Sequence, residues 1–105
     1  MLPEPLISEF ADDPQIRELL AEFTIGLGET CQQLREGVRM GNVEVVRRIG
    51  HQLKGAGGGY GYPDLTTAAG RLETAVVSAG AISDEVRRRA GDLIQLCERV
   101  QIAKR

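Results

Sequence analysis

The sequence predicts an all-α fold, an antiparallel up-down four-helix bundle with a short irregular N-terminal arm. Three observations predict it. Apolar residues recur at spacings of three, four and seven in four separate stretches, which is the period of an amphipathic helix. Each stretch is bounded by Gly, Asn, Pro or Ser at positions where helices stop or start. The β-branched alternation of a strand is absent. With 105 residues, 42% of them apolar and 27% charged, the chain has the size of one domain. That domain is residues 1–105, of which 1–13 form the arm.

The elements follow in order. Pro3, Pro5 and Asp12-Asp13-Pro14 make the arm irregular, and Asp13 with Pro14 suits a helix start, one as cap and the other at the first helical position. Ile16, Leu20, Phe23, Leu27, Leu34 and Val38 then form one stripe on a long first helix. Gly26 and Gly28 lie inside it, each costing about 1 kcal/mol relative to alanine, so a soft point is expected there. Gly41 ends this helix and Asn42 caps the second, which runs from about residue 43 to about residue 58. Gly61-Tyr62-Pro63-Asp64 is the next break. Leu65, Ala68, Ala69, Leu72, Val76 and Ala79 define the third helix, and Gly80 closes it. Ser83 caps the fourth, Asp84 and Glu85 suit the positive end of its dipole, and Val86, Ala90, Leu93, Cys97 and Val100 form its stripe. One stripe per helix is consumed by one core, which predicts a monomer.

Composition excludes several function classes. The formal net charge is −2, so no overall basic field argues for nucleic acid. Cys31 and Cys97 form neither a Cys-x-x-Cys pair nor a disulfide scaffold, and they read as small core residues of a reduced, cytoplasmic chain. No stretch approaches the apolar length of a membrane span, and the N-terminus lacks the basic start of a signal peptide. One histidine and two separated cysteines cannot supply a tetrahedral metal site. The run from Gly55 to Gly61 fits neither G-x-G-x-x-G nor the Walker pattern, and no strand precedes it; the chain is expected to hold no ATP. Arg87-Arg88-Arg89 reads as a solvated face.

The only histidine lies on the outward face of the second helix. At about 100° per residue, Val45, Val46, Ile49, Leu53, Ala56 and Tyr60 all fall within about 60° of the direction opposite His51. Glu44, Arg47, Arg48, Lys54, Gly55 and Gly58 fall within about 60° of His51 itself. An exposed imidazole is largely neutral near pH 7 and therefore nucleophilic. Arg47, Arg48 and Lys54 would stabilise negative charge arriving at its ring. Gly55 and Gly58 weaken a helix on a face where internal packing demands nothing, and close approach of another surface is the compensation. This chemistry suits transient phosphorylation of His51.

His51-Gln52-Leu53-Lys54-Gly55, then Tyr60-Gly61 and Leu72-Glu73, resembles the signature of histidine phosphotransfer (HPt) domains. That signature is H-x-[LI]-K-G, an apolar residue and a glycine nine and ten positions after the histidine, and a polar residue on the following helix. The likeness spans residues 7 to 104, with its diagnostic part between 51 and 73. It implies that His51 is the phospho-acceptor, at Nε2, that Lys54 offsets phosphoryl charge, and that Gly55 leaves room for a partner. Gly61 would turn the chain between the second and third helices. Glu73 falls where the family often places a group that accepts a hydrogen bond from the other ring nitrogen; the alternative is a boundary glutamate beside the buried Leu72. The implied partners are a response-regulator receiver domain, which brings its own Mg²⁺, and a sensor or hybrid histidine kinase. No cofactor is expected on this chain.

Three features depart from the common pattern. Gly50 precedes the histidine, the density of Gly57-Gly58-Gly59 predicts fraying of the second helix before Tyr60, and Glu44 is expected to weaken the basic field. The competing reading is a helical adaptor that binds a signalling partner through the His51 face without phosphorylation. The identity of the kinase and receiver, the direction of flow, and whether the chain is free-standing or a module of a larger kinase are left open.

Overall fold

The computed structural model describes residues 4–101; residues 1–3 and 102–105, and with them Pro3 of the expected arm, lie outside the described residues. Four helices follow one another: α1 (Pro14–Arg39), α2 (Val43–Gly59), α3 (Pro63–Ala79) and α4 (Asp84–Arg99). They form an all-α four-helix bundle, with α2 and α3 sharing the most extensive contact and α1 packed on both α2 and α4.

The helix starts follow side-chain chemistry. Asp13 accepts from the backbone N–H of Gln15, Asn42 from that of Val45 and Ser83 from that of Val86, each satisfying a donor that the first turn leaves unpaired. Leu20, Leu27, Leu34, Val46, Ile49, Leu53, Leu65, Leu72, Val76, Val86 and Leu93 meet in a single buried core, joined by Cys31 and Cys97, whose thiols are free. Ala79, expected on the α3 stripe, is exposed because it is the last residue of its helix, next to the left-handed Gly80. α1 runs unbroken through Gly26 and Gly28, and a side chain at either position would meet nothing within 4 Å.

The expected fraying of α2 does not occur. The helix continues to Gly59 because its end is closed by two backbone bonds: Tyr62 N–H donates to the Gly57 carbonyl at 2.7 Å and Gly61 N–H to that of Gly58 at 3.4 Å. This is a Schellman closure, with Gly61 in the left-handed region at φ 82°. Gly57 also lets the start of α3 press against α2. A Cβ at residue 57 would lie 2.7 Å from Thr66 N and 3.0 Å from Tyr62 O.

The described part of the arm is docked on the bundle. Ser8 donates from Oγ to the Tyr60 carbonyl at 2.6 Å, and Glu9 N–H donates to the Gly61 carbonyl at 2.8 Å. A two-residue parallel pairing absent from the sequence pattern joins β1 (Leu6–Ile7) to β2 (Val100–Gln101); two residues are too few to show alternation. Three of the four aromatic residues meet at the same end. Phe23 stacks on Tyr60 at 4.5 Å between ring centroids and lies 5.8 Å from Tyr62. Tyr62 is fully buried. Burial raises its phenol above the usual range, and a hydrogen bond with Thr24 partly opposes this.

Two substitutions separate these glycine environments. Gly28→Ala is expected to raise stability by about 0.5–1 kcal/mol by restricting the unfolded chain. Gly61→Ala is expected to lower it by about 1–3 kcal/mol, from its left-handed backbone and from contact with Ser8 and Glu9 on the docked arm. Urea unfolding of the two variants beside the parent checks both signs.

Candidate functional site

His51 stands on α2 one residue after a point where that helix meets α3 main chain to main chain. Gly50 is buried, and a Cβ there would lie 3.3 Å from both the Ala69 carbonyl oxygen and the Glu73 amide nitrogen. The helices therefore touch backbone to backbone at this level. Glu73 rises from α3 directly beside the contact and crosses to α2. Its Oε2 lies 2.8 Å from His51 Nδ1 and its Oε1 lies 2.7 Å from Lys54 Nζ. One carboxylate thus holds two side chains a turn apart on the neighbouring helix.

Exposure differs sharply across this trio. The His51 side chain is 66% exposed, that of Glu73 only 17%. Lys54 reaches Glu73 by laying its alkyl chain over α3, where a Cβ on Gly70 would come within 3.3 Å of Lys54 Cδ. The carboxyl of Glu73 is held below the usual glutamate range, first by the hydrogen bond from Lys54 and then, against the opposing cost of burial, by that from His51. An ionised carboxylate only accepts, so in the neutral ring Nδ1 carries the proton and donates it to Glu73. The lone pair then belongs to Nε2, on a ring open to solvent.

The remaining expected residues divide. Arg47 is drawn to Glu44, donating from Nε to Oε2 at 3.2 Å with a second guanidinium contact to Oε1, so Glu44 offsets the basic field through this pair. Arg48 turns to a shallow groove between α1 and α2, beside Gly37, Met40 and Val45. Lys54 is the one cation of the three that shares a hydrogen-bonding partner with His51. Gly55 and Gly58 are exposed; a Cβ at Gly55 would meet nothing within 4 Å, and one at Gly58 only Thr66 Oγ1 at 3.6 Å. The face beside the histidine is therefore bare backbone open to an approaching surface. Gly61 forms the α2–α3 turn. Arg87, Arg88 and Arg89 all pair with Asp84 or Glu85 on their own helix.

Two contributors escaped the sequence reading. Gly50 stood out only as a departure from a pattern, and Gly70 not at all, although its place one turn before Glu73 and its missing side chain were the available signal. Among the described residues, no group of three His, Cys, Asp or Glu side chains is arranged to hold a metal ion, and no helix is long and apolar enough to cross a membrane.

The low carboxyl pKa has a signed consequence. Because folding depresses it, the pairing stabilises the fold above the unfolded glutamate value and is lost as pH falls through the lower folded one. Replacing Lys54 by Met removes the larger cause. The Glu73 carboxyl midpoint, followed by carbon-13 NMR, is expected to move upward in Lys54→Met, and an unmoved midpoint contradicts the assignment of cause.

The comparisons with known proteins bear on this geometry. A family model described as Hpt domain matches residues 18–103, which is most of the chain and includes every residue of the His51 site. No significant match was found among curated proteins or among solved structures. Hpt domains are phosphocarrier modules rather than classical enzymes, and they work with histidine kinases and response-regulator receivers. With its helical bundle and its match from α1 to the end of α4, the chain belongs to the Hpt domain family, the histidine phosphotransfer modules of phosphorelay signalling.

Proposed function

We propose that His51 is the phospho-acceptor of a relay, taking a phosphoryl group from the aspartyl phosphate of a receiver domain or from a histidine kinase and passing it to a receiver aspartate. The observation that carries this reading is the exposed imidazole whose Nδ1 is engaged by a buried-stem carboxylate. That bond orients the ring and raises the electron density at Nε2.

In the forward step Nε2 attacks phosphorus in line with the aspartyl oxygen. The N–P bond forms, the P–O bond breaks, and the receiver aspartate leaves as a carboxylate. The phosphorylated ring retains its proton on Nδ1, so it carries positive charge that the Glu73 carboxylate offsets. Lys54, held at 2.7 Å from Glu73, is within one turn of the ring and supplies positive charge toward the phosphoryl oxygens. The transition state for phosphoryl transfer is loose and asks mainly for positioning and charge. This chain supplies the nucleophile and its orientation, and the receiver supplies the Mg²⁺ and the reactive aspartate. Gly55 and Gly58 admit the partner's active site, with Arg47 and Arg48 flanking the docking face.

The test is transfer of label. The purified chain is incubated with radiolabelled, phosphorylated receivers and Mg²⁺ beside its variants. Acid-labile, alkali-stable label is expected on the parent and none on His51→Gln. Loss of a hydrogen bond to a charged group costs about 1.5–3 kcal/mol, so Glu73→Ala is expected to slow transfer by about 10–100-fold. If neither a panel of receivers nor histidine kinases labels the parent chain, the adaptor reading replaces the phosphocarrier.

A further inference from the structure

Why a single carboxylate satisfies two side chains on the opposite helix is a question of distance, and that distance is governed by backbone rather than by side-chain choice. Gly50 has no Cβ, and one placed there would press on the Ala69 carbonyl and the Glu73 amide, both at 3.3 Å. These are main-chain atoms in the middle of α3, so relief requires the helices to separate or slide rather than a rotamer to change. Gly70 makes a second allowance on the facing helix, because Lys54 Cδ lies 3.3 Å from where its Cβ would be. The two glycines serve the same acceptor from opposite sides.

We propose that Gly50 and Gly70 are positioning residues for the His51 chemistry: their missing side chains set the separation and path at which Glu73 bonds His51 Nδ1 and Lys54 Nζ together. Gly50 acts on the reach between helices and therefore on both bonds. Gly70 acts on the course of the Lys54 stem and therefore on one. A glycine inside a helix is destabilising, and here the loss is matched by the His51–Glu73–Lys54 geometry that close approach permits. This inference rests on His51 being the reacting residue, but the structural claim can be read without any phosphoryl donor.

The chain has one histidine, so its ring nitrogen resonances are unambiguous. Long-range nitrogen-15 NMR of the full chain reports which nitrogen carries the proton in the neutral ring. The parent is expected to show the Nδ1–H form. Gly50→Ala is expected to shift the population toward Nε2–H and to slow label transfer, with helix content unchanged by circular dichroism. Gly70→Ala is expected to keep the Nδ1–H form while raising the Glu73 carboxyl midpoint, since only the Lys54 bond is disturbed. Gly91→Ala on α4, where a Cβ meets nothing within 4 Å, controls for adding a methyl group to a helix and should move neither signal.

A folded Gly50→Ala that retains the parent tautomer overturns the proposal. Should that variant fail to fold, Glu73→Asp decides: it withdraws the carboxylate by one methylene without touching the helix contact. Release of the Nδ1–H form there supports a reach-limited bond, and its retention refutes one. A shifted tautomer in a chain that no donor labels leaves the positioning claim standing and removes the phosphocarrier reading, so the two failures are distinguishable.

Discussion

The approach of α2 to α3 is the constraint on which the site depends. Helices packed through ordinary side chains keep axes about 8–10 Å apart, and a glutamate stem spanning a wider gap would be free to turn into solvent. Here the main chains meet at Gly50 and again at Gly57, one heptad later on the same face. The second contact is the tighter, with the Thr66 amide and the Tyr62 carbonyl against Gly57. Thr66 adds a hydrogen bond from its hydroxyl to the Lys54 carbonyl at 2.8 Å. The stretch of α2 that bears His51 and Lys54 is thereby fixed at both ends, above by Gly50 and below by Gly57 and Thr66.

Burial and exposure are divided between the partners in a way that suits transfer. The acid sits with its stem against the helix pair and its charge committed to two donors, whereas the imidazole projects outward. In the proposed relay His51 has to meet two different proteins in turn, which a ring enclosed by its own fold could not do. Glu73 orients the ring from behind, and one turn later on the same helix Gly55 leaves the surface without a side chain.

Much of this was legible in the chain because it is local. Asp13, Asn42 and Ser83 act on amides two or three residues ahead, and Gly41 and Gly80 act at the helix ends they occupy, so short-range chemistry suffices to find them. The outward direction of His51 follows from the helical period alone. The features that escaped are those in which distant parts of the chain meet. Tyr62 read as a turn residue, yet it is fully buried because the Gly61 turn aims it inward toward Phe23. Gly50 and Gly57 looked like defects until α3 was set against them. Periodicity likewise placed Arg47 and Arg48 beside the histidine, but it could not weigh Glu44 as a partner for Arg47 or show that Arg48 lines the α1–α2 groove.

The pairing of Leu6–Ile7 with Val100–Gln101 has a consequence at the far end of the arm. Arg99 donates to the Glu4 carbonyl at 2.7 Å, and a few residues on, Ser8 and Glu9 fasten to the carbonyls of Tyr60 and Gly61. The last turn of α4, the arm and the closing turn of α2 are thus links in one chain of hydrogen bonds. Opening of the α4 terminus would strip the arm, and loss of the arm would uncover the α2–α3 corner. Segments remote in sequence are in this way made into one cooperative opening unit, whose free energy of opening is shared between the tail of the bundle and the helix that carries the histidine.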